Sequence, residues 1–334
     1  MTSLQRASAS PALSGGTGAA IRMQKPTLRT AAKGFALLIV VVASVYFLFE
    51  VVRHFSTIPS IEWNALTLSV MLLSLLLMLF VIFLGGVMWY LLLQDQGANV
   101  TPRVAIEIVA LSQVAKYLPG NMGHILGQMT LATAAGIPIG VALSTILIST
   151  LWLLAIGLGV GVLAFLFFMD AASTVDIPIP GTPWLVLLGL VLAGLPWFGV
   201  LFLNRYLPGL SRRLGGGKLI AKPRLGTALA LGIGFLVCFL IFGIILKLHA
   251  QFLFGISEGD LITLTVLFTA AWVAGYVVPG APGGLGVREA LMVVLLSPVV
   301  GAGTAVGLGI TLRLITLAGD GAAFVLGAMA KRFA

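Results

Sequence analysis

Apolar residues run through this chain in long unbroken blocks, not in the alternation that a half-buried strand requires. The blocks at residues 34–52, 65–93, 138–168, 183–203, 226–248 and 301–330 come close to or exceed the ~20 residues an α-helix needs to cross a hydrocarbon core. They predict six clear crossings. Alternating segments of about ten residues, the mark of a membrane barrel, do not occur.

Two further apolar stretches, 103–135 and 260–299, are broken near their middles by proline and glycine. The breaks resemble each other. VAKYLPGNMGHILGQ (114–128) aligns with VAGYVVPGAPGGLGVR (273–288) after one inserted residue, pairing Tyr117 with Tyr276, Pro119-Gly120 with Pro279-Gly280 and Gly123 with Gly283. Oily segments can match by chance, but Tyr and Pro-Gly are not generic hydrophobic matches. Suppose each is a helix–break–helix hairpin that enters and leaves on one side. Three crossings separate them, so they point in opposite directions. Such re-entrant hairpins form an inverted repeat whose broken helices meet near the bilayer midplane. If each half crosses fully instead, the count is ten. The expected fold is an all-α polytopic integral membrane protein: one transmembrane domain over 33–334 after a disordered basic tail over 1–32.

Charge orients the blocks. The stretch before the first span has Arg6, Arg22, Lys25, Arg29 and Lys33 with no acid, and loop 204–225 has Arg205, Arg212, Arg213, Lys218, Lys222 and Arg224 with none. Loops 169–182 and 249–260 offer acids and one histidine. The positive-inside bias places both termini in the cytoplasm. Composition agrees: 60% of the 334 residues are hydrophobic and 9% charged, where a soluble domain carries roughly 25% charged. The net charge of +9 is spread over membrane-flanking loops, which argues against a nucleic-acid groove. Cys238, the single cysteine, has no partner for an internal disulfide.

The second break carries the sharpest chemistry. Backbone without hydrogen bonds survives at membrane depth only inside protein or facing water. Pro279 and Pro282 end one half-helix, and Gly280, Gly283, Gly284 and Gly286 let the chain turn and approach a ligand. A new helix is expected from about Leu285, with Arg288 in its first turn. Helix N-terminus, glycine backbone and guanidinium together suit a phosphate. For the glycines alone, tight helix packing is the competing account, as for Gly157-x-x-x-Gly161 and Gly303-x-x-x-Gly307. The first break offers Lys116, His124 and Gln128. Ser112 and Lys116 are spaced to share a helix face; Lys116 either snorkels to the surface or binds a headgroup. His124 also fits a structural, hydrogen-bonded histidine. Arg313, Thr316 and Asp320 form one polar stripe in the last span. Their competing role is an ion-paired network with Arg288–Asp320 and Glu289–Arg313 as its pairs.

Enzyme signatures are missing. There is no close pair of acids, no Gly-x-Ser-x-Gly, no His-Glu-x-x-His and no Walker A sequence. Glu50, Glu62, Asp95, Asp170, Asp176, Glu258 and Asp260 read as solvated acids at membrane surfaces. No metal site and no cofactor are expected, and an intramembrane transferase is the lesser possibility.

KYLPGNMGHILGQ, followed by PGGLGVREALMVVLL and a late arginine-bearing span, resembles the transmembrane region of lysylphosphatidylglycerol synthases, within a wider family of flippase-like membrane proteins. The resemblance covers roughly residues 35–330. It implies a domain of the bacterial inner membrane that moves a lipid or lipid-linked headgroup between leaflets, with a lipid-modifying enzyme as a possible partner. No soluble aminoacyltransferase segment follows the last span, so translocation without lipid synthesis is expected. Gln128 stands where many relatives carry a basic residue. The expected substrate-contacting set is Arg288, Lys116, Gly283, Gly284, Gly286, Glu289, Arg313, Asp320, His124 and Gln128. The rival expectation is a non-transporting membrane subunit that docks a lipid- or glycan-modifying enzyme through loop 204–225.

Overall fold

The computed structural model describes residues 28–117, 123–172, 182–278 and 282–332. Among them every regular element is helical: α1 (Leu28–His54), α2 (Ala65–Asp95), α3 (Pro102–Ser112), α4 (Gly123–Ala134), α5 (Ile139–Ala172), α6 (Thr182–Tyr206), α7 (Pro208–Leu214), α8 (Leu225–Leu248), α9 (Leu261–Val277), α10 (Val287–Val300) and α11 (Ala302–Arg332). Residues 1–27 of the expected tail, and Asp176, lie outside the described residues.

Five helical runs are long and apolar enough to cross a membrane: Leu37–Thr57, Ala65–Asp95, Ile139–Val162, Leu225–Leu253 and Ala302–Lys331. They coincide with five of the six expected spans. The block at 183–203 falls in α6, which carries Pro196 in its interior.

Capping explains where several helices begin. Asn64 accepts the Leu66 and Thr67 N–H groups at the start of α2, and Thr67 returns a bond to the Asn64 N–H. This reciprocal box satisfies donors that a helix start otherwise leaves free. Thr101 accepts the Val104 N–H ahead of Pro102, the first residue of α3. Asp260 accepts the Ile262 and Thr263 N–H groups at the start of α9.

Helix ends gather at two opposite faces. At one, Gln96 donates to the Ala221 carbonyl (2.8 Å), Asp95 accepts the Arg224 N–H (2.8 Å) and Arg103 donates to the Ala330 carbonyl (2.6 Å). Gly140, at the start of α5, lies against Gly216. Arg103, Arg212, Arg213, Lys218, Lys222, Arg224 and Lys331 are exposed at this face. At the other face Lys247 donates to the Ser257 and Gly259 carbonyls, Gly259 meets Val299, and Gly303 meets Thr57. Glu62, Glu258 and Asp260 are exposed there.

The two interrupted stretches fold as hairpins of short helices. α3 and α4, of 11 and 12 residues, are each about 17–18 Å long, well under a hydrocarbon core of about 30 Å. Their bases lie at the basic face. α9 and α10 pack along each other with their bases at the opposite face, where Gly259 meets Val299, and their tips at Gly275 and Arg288. The tips of the two hairpins meet: a side chain added at Gly283 would touch Lys116, Tyr117 and Arg313.

Glycine allows the closest approaches. Gly157 faces Val273, Gly161 lies near Ala270, Gly243 abuts Thr265 and Gly307 abuts Phe254. The small-residue spacing at 157–161 therefore seats α5 against α9, whereas Gly303 and Gly307 of α11 seat it against the turn at Thr57 and against Phe254 beyond α8. Two acids expected at solvated surfaces prove to be buried and paired. Glu50 is buried inside α1, 3.2 Å from His54, and Asp95 lies 3.5 Å from the Arg224 Nε with its side chain 3% exposed.

Candidate functional site

The second break is built by glycine conformation. Gly283, Gly284 and Gly286 all have positive φ, at 59°, 75° and 80°, a region that side chains with a Cβ rarely enter. Gly286 also has no room for a Cβ, because Ser44 of α1 lies against it. The chain therefore turns through Pro282–Gly284 and restarts as α10 at Val287, two residues later than the Leu285 expected from sequence. The Glu289 Oε2 accepts the Gly286 N–H at 2.9 Å, so the acid of the first turn caps its own helix start.

Glu289 then anchors two arginines. Its Oε1 takes the Arg288 Nη2 at 2.9 Å and lies 3.5 Å from the Arg313 Nη1. Arg313 also donates to the Gly283 carbonyl at 3.4 Å, and its guanidinium lies 5.4 Å from the centre of the Tyr117 ring. Arg288 is 7% exposed, yet its Nε has no partner among the described residues.

The first break is held from α11. α3 stops at Ser112, and Gln113–Tyr117 tightens into a 3₁₀ turn. Ser112 and Lys116 therefore do not continue on one α-helical face. Lys116 points inward rather than snorkelling: its Nζ lies 2.6 Å from the Asp320 Oδ2, and it donates to the Gln113 Oε1 at 3.3 Å. The Tyr117 hydroxyl donates to the same Asp320 oxygen. Asp320 is fully buried, with Oδ1 unpartnered among the described residues. The expected Glu289–Arg313 pair is present, and the expected Arg288–Asp320 pair is not. Arg288 finds the carboxylate beside it in sequence, which leaves Asp320 to Lys116.

Between the breaks lies a cavity of about 270 Å³. Lys116, His124, Gln128, Gly283, Gly284, Arg288 and Arg313 line it, while Glu289, Asp320 and Gly286 sit behind that lining. Cations thus face the space and carboxylates brace them from the protein side. Three cations against two carboxylates leave one formal positive charge. His124 packs edge-on to Tyr276, and Tyr276 stacks on Trp272 with centroids 5.0 Å apart.

Tyr117, Tyr276, Trp272, Gln113, Ser149, Thr150, Thr316 and Trp89 also line the cavity, outside the substrate-contacting set expected from sequence. For the tyrosines a signal existed, since both break motifs repeat them. The aromatic and hydroxyl residues of α2, α5 and α9 sit in runs otherwise indistinguishable from packed core.

This arrangement can hold an anion. A phosphate would meet arginine and lysine donors and glycine backbone, and such charge-assisted bonds are the strong ones.

No individual curated protein matches the chain. A model of the lysylphosphatidylglycerol synthase transmembrane region matches residues 34–323, a span that includes both breaks and every charged residue of the cavity, and the chain belongs to that family.

Proposed function

We propose that this chain moves a phospholipid or lipid-linked headgroup between the leaflets of a bacterial inner membrane, with both termini cytoplasmic and two inverted, re-entrant hairpins forming the pathway. One observation carries the proposal: three cations face a cavity at the meeting point of two broken helices, with only two carboxylates behind them. A charge at membrane depth costs about 2.5–3.5 kcal/mol on insertion scales. Pairing alone would be served by equal numbers.

The dimensions support headgroup passage. At about 270 Å³ the space falls just below the roughly 300–1,000 Å³ of drug-sized sites. It admits a phosphate-bearing headgroup, and acyl chains would stay in the surrounding lipid. Arg288 and Lys116, one from each hairpin, are the phosphate contacts. Glu289 and Asp320 hold these cations when no headgroup is present, which keeps an empty site from carrying unpaired charge.

The test is lipid scrambling in liposomes containing purified protein, read by quenching labelled lipid in the outer leaflet. Anionic, zwitterionic and polyprenyl-phosphate lipids are compared. Scrambling by wild type that is lost in folded Arg288→Ala is the expected result; activity equal to empty vesicles with every lipid overturns it.

A second reading has its own observation. The 204–224 segment is folded: Ser211 donates to Asn204 and accepts the Ile220 N–H, while Arg212 and Arg213 project to solvent. An ordered basic surface suits docking of a lipid- or glycan-modifying enzyme. Function lost on neutralising Arg212 and Arg213, but kept in Arg288→Ala, would favour that reading.

A further inference from the structure

A second concavity lies on the lipid-facing side, between α2, α3 and α11. It holds about 720 Å³ and is almost wholly apolar, with Phe80, Phe83, Ile106 and Leu326 among its walls. Phe80, Phe83 and Leu326 are exposed. Its polar groups, Arg103 and Glu107, sit toward the basic face, where Arg103 reaches the Ala330 carbonyl.

Those two residues are one helical turn apart, at i and i+4, where Cβ atoms are about 5–6 Å from each other. They are not paired with one another, and Glu107 pairs with no cation among the described residues. Arg103 spends one nitrogen on a carbonyl in the last turn of α11. A guanidinium has five donors, so most of its capacity remains. An apolar trough with a cation and an anion at its interfacial end complements a single molecule class. Its acyl chain fills the trough, its phosphodiester meets Arg103 and its amine meets Glu107.

We propose that this groove is a binding site for a phospholipid whose headgroup carries both a phosphodiester and a primary amine. An anionic lipid would leave Glu107 facing like charge. A quaternary headgroup would offer it no N–H donor.

The last helix, α11, lines both spaces. Along α11 the residues run from Ala330 and Gly327 at the groove to Thr316 and Arg313 at the cavity, with Asp320 between. Serving as the entrance for transported lipid rests on the translocation reading; the binding site itself does not.

Native mass spectrometry of the purified full chain tests the site, with ethanolamine, choline and glycerol phospholipids supplied in equal amounts. Ethanolamine lipid should be retained up to about fivefold over glycerol lipid, the upper size of one interfacial ion pair, and by a smaller factor over choline lipid, which keeps the charge but offers no N–H donor. Glu107→Gln should erase the preference over glycerol lipid, and Arg103→Gln should weaken retention of all three. Arg103→Lys, which keeps the charge and a donor to α11, should restore most of it. Because the central cavity also holds phosphate donors, Arg288→Ala should leave the ethanolamine preference intact. Equal retention of the three lipids overturns the proposal, as does a preference that survives Glu107→Gln or disappears in folded Arg288→Ala. So does a mass showing a second copy of the chain in place of lipid. Scrambling by the same proteins is scored separately, so a chain that binds but does not flip disproves only the translocation reading.

Discussion

The two breaks are similar in sequence and opposite in where they carry charge. In the alignment of 114–128 with 273–288, Lys116 falls on Gly275 and Gln128 falls on Arg288. The first hairpin has its cation before the break and an amide after it; the second has glycine before and its cation after. Each hairpin thus brings one cation to the cavity from opposite legs. Their counter-ions differ too. Arg288 is neutralised by the next residue, Glu289, whereas Lys116 depends on Asp320 from α11. The second hairpin is therefore electrostatically self-contained, and the first is complete only when α11 is seated against it.

That difference makes Asp320 the most sensitive position. Asp320→Asn leaves Lys116 with no carboxylate in a largely buried setting, and breaking a buried pair from one side costs about 3–5 kcal/mol. Urea unfolding of the purified protein in micelles should show a loss of that order. Adding Lys116→Met should recover at least half of it, since the stranded charge is then gone. Strictly additive losses would mean that the two groups are not coupled.

The charge transposition is the next test. Arg288→Gln should slow scrambling by roughly 10–100-fold, the worth of a charge-assisted hydrogen bond of about 1.5–3 kcal/mol. Gln128→Arg in the same protein places a guanidinium on the aligned leg of the other hairpin. It should restore part of the rate, but not all, because the residue after it is Met129 and not a glutamate. No recovery at all would break the equivalence of the hairpins.

The sequence made much of this visible, and physics decides which part. Blocks of unbroken hydrocarbon announce membrane-length helices, because nothing else tolerates them, and five of the six expected spans appear as such helices. The breaks announced themselves through Pro119, Pro279 and Pro282, each followed by glycine, since proline removes a helix N–H and glycine lets the chain turn; a proline without that neighbour, Pro196, stands inside α6 without ending it. Partner choice did not. Which carboxylate meets Arg288 depends on how far α10 turns before its first residue, and three left-handed glycines set that turn. The burial of Glu50 was hidden for a related reason: an acid near a helix end reads the same whether its neighbours are water or protein. Tyr117 was legible as a repeated residue, yet its bond to Asp320 spans more than two hundred residues of chain, a separation no local pattern encodes.

The smallest effect concerns the leg where the second hairpin has glycine instead of lysine. A Cβ at Gly275 would stand 3.0 Å from the Arg288 Cβ and 3.3 Å from its Cα and N. The glycine is therefore there so that Arg288 can sit against α9, and a lysine at this position, as in the first hairpin, would displace the arginine. Gly275→Ala should destabilise by about 1 kcal/mol, the low end for an added methyl in a packed site. Gly85→Ala is the matched control: that glycine also lines the cavity but has no atom within 4 Å of an added Cβ. Alanine there should be neutral or stabilise by up to about 1 kcal/mol through the unfolded chain. Thermal unfolding of the two variants side by side separates the cases. If Gly275→Ala were as harmless as Gly85→Ala, the glycine would not be reserved for Arg288, and the opposite placement of charge in the two hairpins would lose its packing explanation.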